Sequence, residues 1–148
     1  MVTDYLTQAD LQSSIRDERL SHILDNDDVS PEDLFGDAVF HTTSIVGDHL
    51  ERFEIAAEFE KSGTDRNGSV MYYCKHICLY IIYERIDDDE VPERIVKNYD
   101  DTIETLRQIA KGKMSISIPL KLEDTDGDGE GDKKRTKFRW GGDAPRKY

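Results

Sequence analysis

The stretch Val70-Met-Tyr-Tyr-Cys-Lys-His-Ile-Cys-Leu-Tyr-Ile-Ile-Tyr-Glu-Arg-Ile86 carries apolar residues on nearly every face of a helix. A helix that is apolar all round lies buried at the centre of its domain. Ser69 stands in front of it as an N-cap, and the acidic run 87–90 ends it. The stretch therefore predicts a buried central helix over residues 70–86.

A second helix follows directly. Val91, Pro92 and Glu93 are a suitable helix start, because proline is favoured near the first helical position. Apolar residues then recur at spacings of three and four, namely Ile95, Tyr99, Ile103, Leu106 and Ala110. Gly112 is the expected C-terminal stop. The pattern predicts an amphipathic helix over residues 92–111, packed on the buried one.

Shorter apolar stripes precede the central helix. Thr7 is a suitable N-cap for two short helices, or one kinked helix, between about residues 8 and 25. Ser30, Pro31 and the two acids after them form a strong start signal for a helix whose imperfect apolar period continues to about Phe59. We therefore expect a mainly α fold: a small helical bundle around the central helix (70–86), packed on the amphipathic helix (92–111).

After Gly112 the pattern changes to a period of two, in which polar residues and one proline alternate with Met114, Ile116, Ile118, Leu120 and Leu122. Pro119 inside such a run favours an edge strand or an extended arm that contributes β-strand. An acidic Gly/Asp loop (123–132) and a basic-aromatic tail (133–140) follow. The sequence predicts a helical body over 1–113 and an extended C-terminal arm over 114–148.

The net charge of -12 is unevenly distributed. Residues 119–148 hold seven acids and eight bases, which leaves 25 acids and 12 bases in residues 1–118. The body thus carries -13 and the tail +1. Such an acidic body is a poor general surface for binding DNA, although it suits a passage through which DNA slides without sticking.

Motifs for catalysis and metal binding are missing from the sequence, including a Gly-x-Ser-x-Gly elbow and a His-Glu-x-x-His pair. Cys74 and Cys78 share a helical face, but zinc needs four ligands and His76 points the other way. We interpret both cysteines as small buried hydrophobes. Asp124–Gly129 resembles half of an EF-hand loop, yet position 12 is Arg135 rather than Glu. We expect no enzymatic activity, no cofactor and no metal.

Bases and aromatic residues interleave in Lys133–Trp140. Three interpretations stay open: an arm whose aromatics anchor on a partner protein, a nucleic-acid contact with stacking side chains, and a tail kept soluble by charge. The acidic tract upstream disfavours the nucleic-acid contact. The candidate partner-binding residues are Ile116, Ile118, Leu120, Leu122, Lys133, Lys134, Arg135, Lys137, Phe138, Arg139 and Trp140.

The sequence resembles the Mu-type family of tailed-phage head–tail connector proteins. The likeness lies in Tyr5-Leu-Thr with Asp10-Leu11, in the apolar helix ending Tyr83-Glu-Arg, in Val91-Pro-Glu-Arg, and in the run from Tyr99 to the Leu-x-x-Ile-Ala-x-Gly ending at Gly112. It is strongest over residues 70–112. The segment 54–69 is longer and more charged than the family's usual link, and the arm beyond 120 has no family counterpart.

The resemblance implies a non-enzymatic structural subunit of the head-to-tail connector, an adaptor ring that docks on the portal while DNA passes through it. It implies the portal protein and neighbouring connector or tail proteins as partners, and a homo-oligomeric ring on assembly. The acidic body adds the expectation of no specific DNA binding, and the lack of an apolar run near ~20 residues adds that of no membrane. The expected location is the neck of the virion, after synthesis in the host cytoplasm. The alternative function is a monomeric adaptor or regulator that binds nucleic acid through its basic-aromatic tail.

Overall fold

The computed structural model describes residues 4–25, 28–85 and 91–121. These residues form six α-helices: α1 (Gln8–Gln12), α2 (Asp17–Leu24), α3 (Pro31–His49), α4 (Ile55–Phe59), α5 (Gly68–Glu84) and α6 (Glu93–Ala110). A 3-10 turn lies at Gly63–Asp65. No β-strand occurs among the described residues, and the predicted mainly α fold is confirmed.

Helix α5 is the central helix that the apolar stretch predicts. It packs on α3 and α6 and also contacts α1 and α2. Its buried residues occupy several faces and are Val70, Cys74, Ile77, Cys78, Leu79, Ile82 and Tyr83. Because apolar side chains are removed from water on all these sides, the packing around α5 is the main source of stability in the bundle.

The start of α5 differs from the prediction. The side chain of Asn67 caps the helix, accepting hydrogen bonds from the N–H groups of Ser69 (3.0 Å) and Val70 (3.2 Å). Ser69 therefore lies in the first turn, and the expectation that it is the N-cap was wrong. Asparagine and serine are similarly good caps, so residue type alone did not separate the two positions.

Helix α6 has the predicted amphipathic character. Ile95, Leu106 and Ile109 are buried on its inner face, while charged residues lie outside. Gly112 follows its end at φ +73°, the left-handed region that glycine occupies without strain. This turn lets the N–H of Lys113 donate to the Gln108 carbonyl at 2.9 Å, which satisfies a carbonyl at the helix end.

Helix α3 is unbroken through Gly36, Gly47 and the polar run at 42–44. The hydroxyls of that run donate to carbonyls one turn back, Thr42 to Ala38 (2.7 Å) and Ser44 to Phe40 (2.8 Å). The polar groups are thereby satisfied inside the helix. The helix ends at His49, so the apolar period extending to about Phe59 belongs to two helices, α3 and α4.

No helix in the described ranges combines the length and the apolar character required to cross a membrane.

Candidate interaction surfaces

The extended segment after α6 pairs with its own chain. Leu120 forms a single antiparallel bridge with Phe53. The N–H of Glu54 donates to the Pro119 carbonyl (2.7 Å), and the N–H of Lys121 donates to the Arg52 carbonyl (2.9 Å). Within the described residues the predicted strand is thus reduced to one bridge, because the backbone bends near residue 118 and ends the alternation.

The candidate partner-binding residues of this segment have different environments. Ile118 is 7% exposed and belongs to the core of its own chain, whereas Leu120 is 51% exposed. Ile116 is half-buried against the core. Leu120 therefore offers the largest apolar surface of the three to a partner. The other candidates lie outside the described residues, namely Leu122, Lys133, Lys134, Arg135, Lys137, Phe138, Arg139 and Trp140.

A buried carboxylate ties the N-terminus to the link between α4 and α5. Glu58 is only 3% exposed and accepts hydrogen bonds from the Tyr5 hydroxyl (2.7 Å) and the Asn67 N–H. Lys61 forms an ion pair with it at 2.8 Å. Burial by itself would raise the pKa of Glu58, but these three partners together lower it. The pKa of the Tyr5 hydroxyl is raised by burial and by its bond to the carboxylate.

An arginine completes this connection, which we call the N-terminal clasp (Tyr5, Asp10, Glu58, Arg66 and Asn67). Arg66 donates to both oxygens of Asp10 (2.8 and 3.2 Å) and to the Tyr5 carbonyl (2.6 Å). Burial opposes ionisation of Asp10, but hydrogen bonds from Arg66 and Thr7 lower its pKa overall. The bond to Asp10 raises the pKa of Arg66. Arg66 and Asp10 are therefore both ionised and form a partly buried ion pair.

The clasp was not predicted, although it gives a role to the charged 54–69 segment. Tyr5 and Glu58 are 53 positions apart, and nothing in the local sequence distinguishes Glu58 from the other acids of the chain. The sequence gives one sign that Glu58 is buried: it lies beside apolar residues of α4, where an acid exposed to solvent is not expected. The hydrogen bonds and ion pairs of the clasp therefore stabilise the fold.

The two cysteines are buried and free. Burial raises the pKa of Cys74, and it raises the pKa of Cys78 to about 12. Thiols in this state are weak nucleophiles and poor metal ligands. Within the described part of the chain, no group of three or more His, Cys, Asp or Glu side chains is arranged to hold a metal ion.

Helix α3 exposes a stripe of acidic residues around one aromatic ring. Asp33, Asp37, Phe40, Ser44 and Asp48 follow each other at spacings of three and four and are all exposed, so they line one outer face. We call this set the α3 stripe. Phe40 is 50% exposed, a large apolar surface among charges. The packing of the bundle gives no reason for phenylalanine at this position.

A second exposed aromatic surface lies between α5 and α6. Tyr72 is 57% exposed and borders a pocket of about 150 Å³, which is also lined by Tyr73, Asn98, Asp101, Thr102 and Thr105. Between the same two helices, Tyr80 of α5 stacks on Tyr99 of α6 with ring centroids 4.0 Å apart. Lys97 and Asp101 form an exposed ion pair at the rim. The pocket is smaller than a usual site for a drug-sized ligand.

The fold and these surfaces define a small, mainly helical protein with an acidic exterior and, among the described residues, two exposed aromatic side chains, Phe40 and Tyr72. A family model described as "Bacteriophage Mu, Gp36" matches residues 5–134. The expectation that the arm beyond residue 120 has no family counterpart was therefore wrong for residues 121–134. Because the match covers most of the chain, the protein belongs to this family, and it is a phage protein of the structural or assembly class. No curated protein matches the sequence.

Proposed function

We propose that the protein is a non-enzymatic structural subunit of the phage head-to-tail connector. In this role it is an adaptor that forms a ring on the portal protein, and DNA passes through the centre of the ring. Membership of the Mu Gp36 family is the observation that carries the proposal. The neck of the virion, with neighbouring connector or tail proteins as further partners, is the corresponding location.

The charge of the body supports a passage rather than a binding site for DNA. Residues 1–118 carry -13, and α3 contains no lysine or arginine. Phosphates are repelled by such a surface, so DNA in contact with it gains no affinity from counterion release. A ring whose inner face is acidic therefore leaves DNA free to move.

The exposed apolar side chains support association with other proteins. Phe40 of α3 and, in the segment after α6, Met114 and Leu120 are each about half exposed. Large apolar side chains that fill a pocket of a partner act as anchors at protein interfaces. Several weak contacts repeated around a ring add up to stable assembly through their high effective concentration.

Light scattering tests the proposal. The molar mass of the full chain is measured alone, with the purified portal protein, and with an unrelated acidic protein of similar size as a control. We expect a species of several chains per portal ring, formed with the portal and not with the control. A chain that stays monomeric in all three mixtures would overturn the proposal.

A salt titration tests the alternative, a monomeric regulator that binds nucleic acid through its tail. The interleaved bases and aromatics of Lys133–Trp140 favour it. Binding through phosphate contacts releases counterions from the nucleic acid into solution. This release is less favourable at high salt concentration, so such binding weakens steeply as salt concentration rises. A steep salt dependence of DNA or RNA binding, together with indifference to the portal, would establish this alternative.

A further inference from the structure

The α3 stripe has a charge pattern that calls for a cationic partner. No lysine or arginine occurs anywhere in residues 20–51, while eight acids do. Arg85 reaches Asp37 at 3.4 Å from α5, at one side of the stripe. Phe40 stands between Asp37 and Asp48 with half of its surface in solvent. A ligand that combines several cations with aromatic rings would neutralise the acids and cover Phe40 in one contact.

The chain itself contains a segment of this composition. Lys133–Trp140 holds five bases, Phe138 and Trp140. The seven steps of this segment in extended conformation span about 24 Å at ~3.4 Å each. The 15 helical steps from Asp33 to Asp48 span about 23 Å at ~1.5 Å each. The segment thus matches the α3 stripe in length as well as in charge.

The route of the chain favours the stripe of another copy. Lys121 is held against Arg52, just beyond the C-terminal end of α3. Between it and Lys133 lie six acids and no base. These acids are repelled by Asp48 in the last turn of α3 and by Glu51 just after the helix, and a chain of like charges tends to extend. Twelve steps of extended chain reach up to about 40 Å, more than the radius of the body.

We propose that the α3 stripe of one copy binds the Lys133–Trp140 segment of a second copy of this chain. The inference rests on the proposed function in so far as that function requires copies to associate. A contact between two different surfaces is heterologous, so each copy can give one tail and receive another. Repeated around a closed rotation, it generates a ring.

Trp140 provides the test, because it is the only tryptophan of the chain. Dilute wild-type protein is the fluorescent donor, and the full chain carrying Trp140→Phe is the tryptophan-free acceptor, titrated up to about 1 mM. We expect donor emission to shift to shorter wavelength and its anisotropy to rise. Raising the salt concentration should reverse both changes, since it screens the charges.

Two further acceptors locate the binding surface. An acceptor with Trp140→Phe and Phe40→Ser should no longer change the donor emission. The matched acceptor with Trp140→Phe and Tyr72→Ser loses an equally exposed aromatic residue outside the α3 stripe and should act like the parent acceptor. Circular dichroism of all acceptors checks that each is folded.

The outcomes separate this inference from the proposed function. It is overturned if the Phe40→Ser acceptor is as effective as its parent, or if no acceptor changes the emission. A third outcome also overturns the inference. In it, the dilute donor already emits at short wavelength, and this emission changes only when the donor itself carries Phe40→Ser. The tail then binds the α3 stripe of its own copy. Assembly with the portal that is insensitive to Phe40→Ser would uphold the proposed function and reject the inference. Tail docking between copies without assembly on the portal would uphold the inference and reject the proposed function.

Discussion

At the scale of single residues, the buried carboxylate of Glu58 connects three parts of the chain, through Tyr5, Lys61 and Asn67. It accepts hydrogen bonds from Tyr5 and Asn67 and is 3% exposed. Glu58→Ala leaves these donors buried without an acceptor, so we expect the free energy of unfolding to fall by about 2–4 kcal/mol. Urea denaturation measures it. Glu60→Ala, an exposed neighbour, should change it by less than about 0.5 kcal/mol, and equal effects of the two would contradict the role of the clasp.

The same clasp makes stability depend on pH. The folded pKa values of Glu58 and Asp10 lie below their ordinary values of 4.5 and 3.8. A carboxyl with a lowered folded pKa contributes stability that is complete above the unfolded pKa and is lost as pH falls through the folded pKa. We therefore expect the urea midpoint to decrease below about pH 4.5. The Glu58→Gln/Asp10→Asn variant should be less stable at neutral pH and show a shallower acid slope.

The segment 116–120 offers a matched pair of substitutions. Ile118 is 7% exposed and Leu120 is 51% exposed, two positions apart on the same extended chain. Ile118→Ala should cost about 2–4 kcal/mol of unfolding free energy, because it leaves a cavity in the core. Leu120→Ala should cost less than about 0.5 kcal/mol. Thermal unfolding followed by circular dichroism compares them, and a large loss for Leu120→Ala would mean that its side chain is covered within the chain.

At the scale of helices, two glycines have opposite expected effects. Gly36 lies inside α3 with open space where a Cβ would be, so Gly36→Ala should stabilise the protein by about 0.5–1 kcal/mol. Gly112 has φ +73° at the end of α6, so Gly112→Ala should destabilise it by about 1 kcal/mol or more, although no atom blocks the new methyl group. Melting temperatures of the two variants should move in opposite directions, and a shift in the same direction would contradict the backbone argument.

Helices were the part of the fold most open to prediction. The apolar periods of α5 and α6 are long and bounded by caps and proline, and both helices lie where the sequence indicated. The end of α3 was harder to predict, because two positions on its buried face hold the polar residues Thr42 and Thr43. Together with Ser44 they look like a break in the helix. Their hydroxyls instead bond to carbonyls of the same helix, which local propensity does not reveal.

The interaction surfaces were less predictable than the helices. The sequence marked the alternating segment but could not tell that Ile118 enters the core of its own chain while Leu120 stays outside. Nor could it select Glu58 from 32 acids, since its partner Tyr5 is brought to it only by the folded bundle. Contacts between distant residues depend on the tertiary arrangement, which is the information that a single sequence carries least directly.

At the scale of the whole molecule, the charge of -12 opposes the compact state. Repulsion between exposed acids is screened as the Debye length falls from about 30 Å at 0.01 M salt to about 10 Å at 0.1 M. We therefore expect the melting temperature to rise with sodium chloride over this range and then to level off. Replacing two exposed acids, with Asp48→Asn and Glu51→Gln, should reduce the slope, whereas an unchanged slope would place the dominant repulsion elsewhere.

The N-terminal clasp also fixes an order of events when the chain is made. Tyr5 leaves the ribosome before its partners Glu58 and Arg66, which follow more than fifty residues later. Closing a loop of this length costs about 3–4 kcal/mol of chain entropy, so it happens only when the bundle already brings its ends together. We therefore expect helix α1 to dock late, after α3 and α5 have met, with the apolar side of the N-terminal segment exposed to water until then.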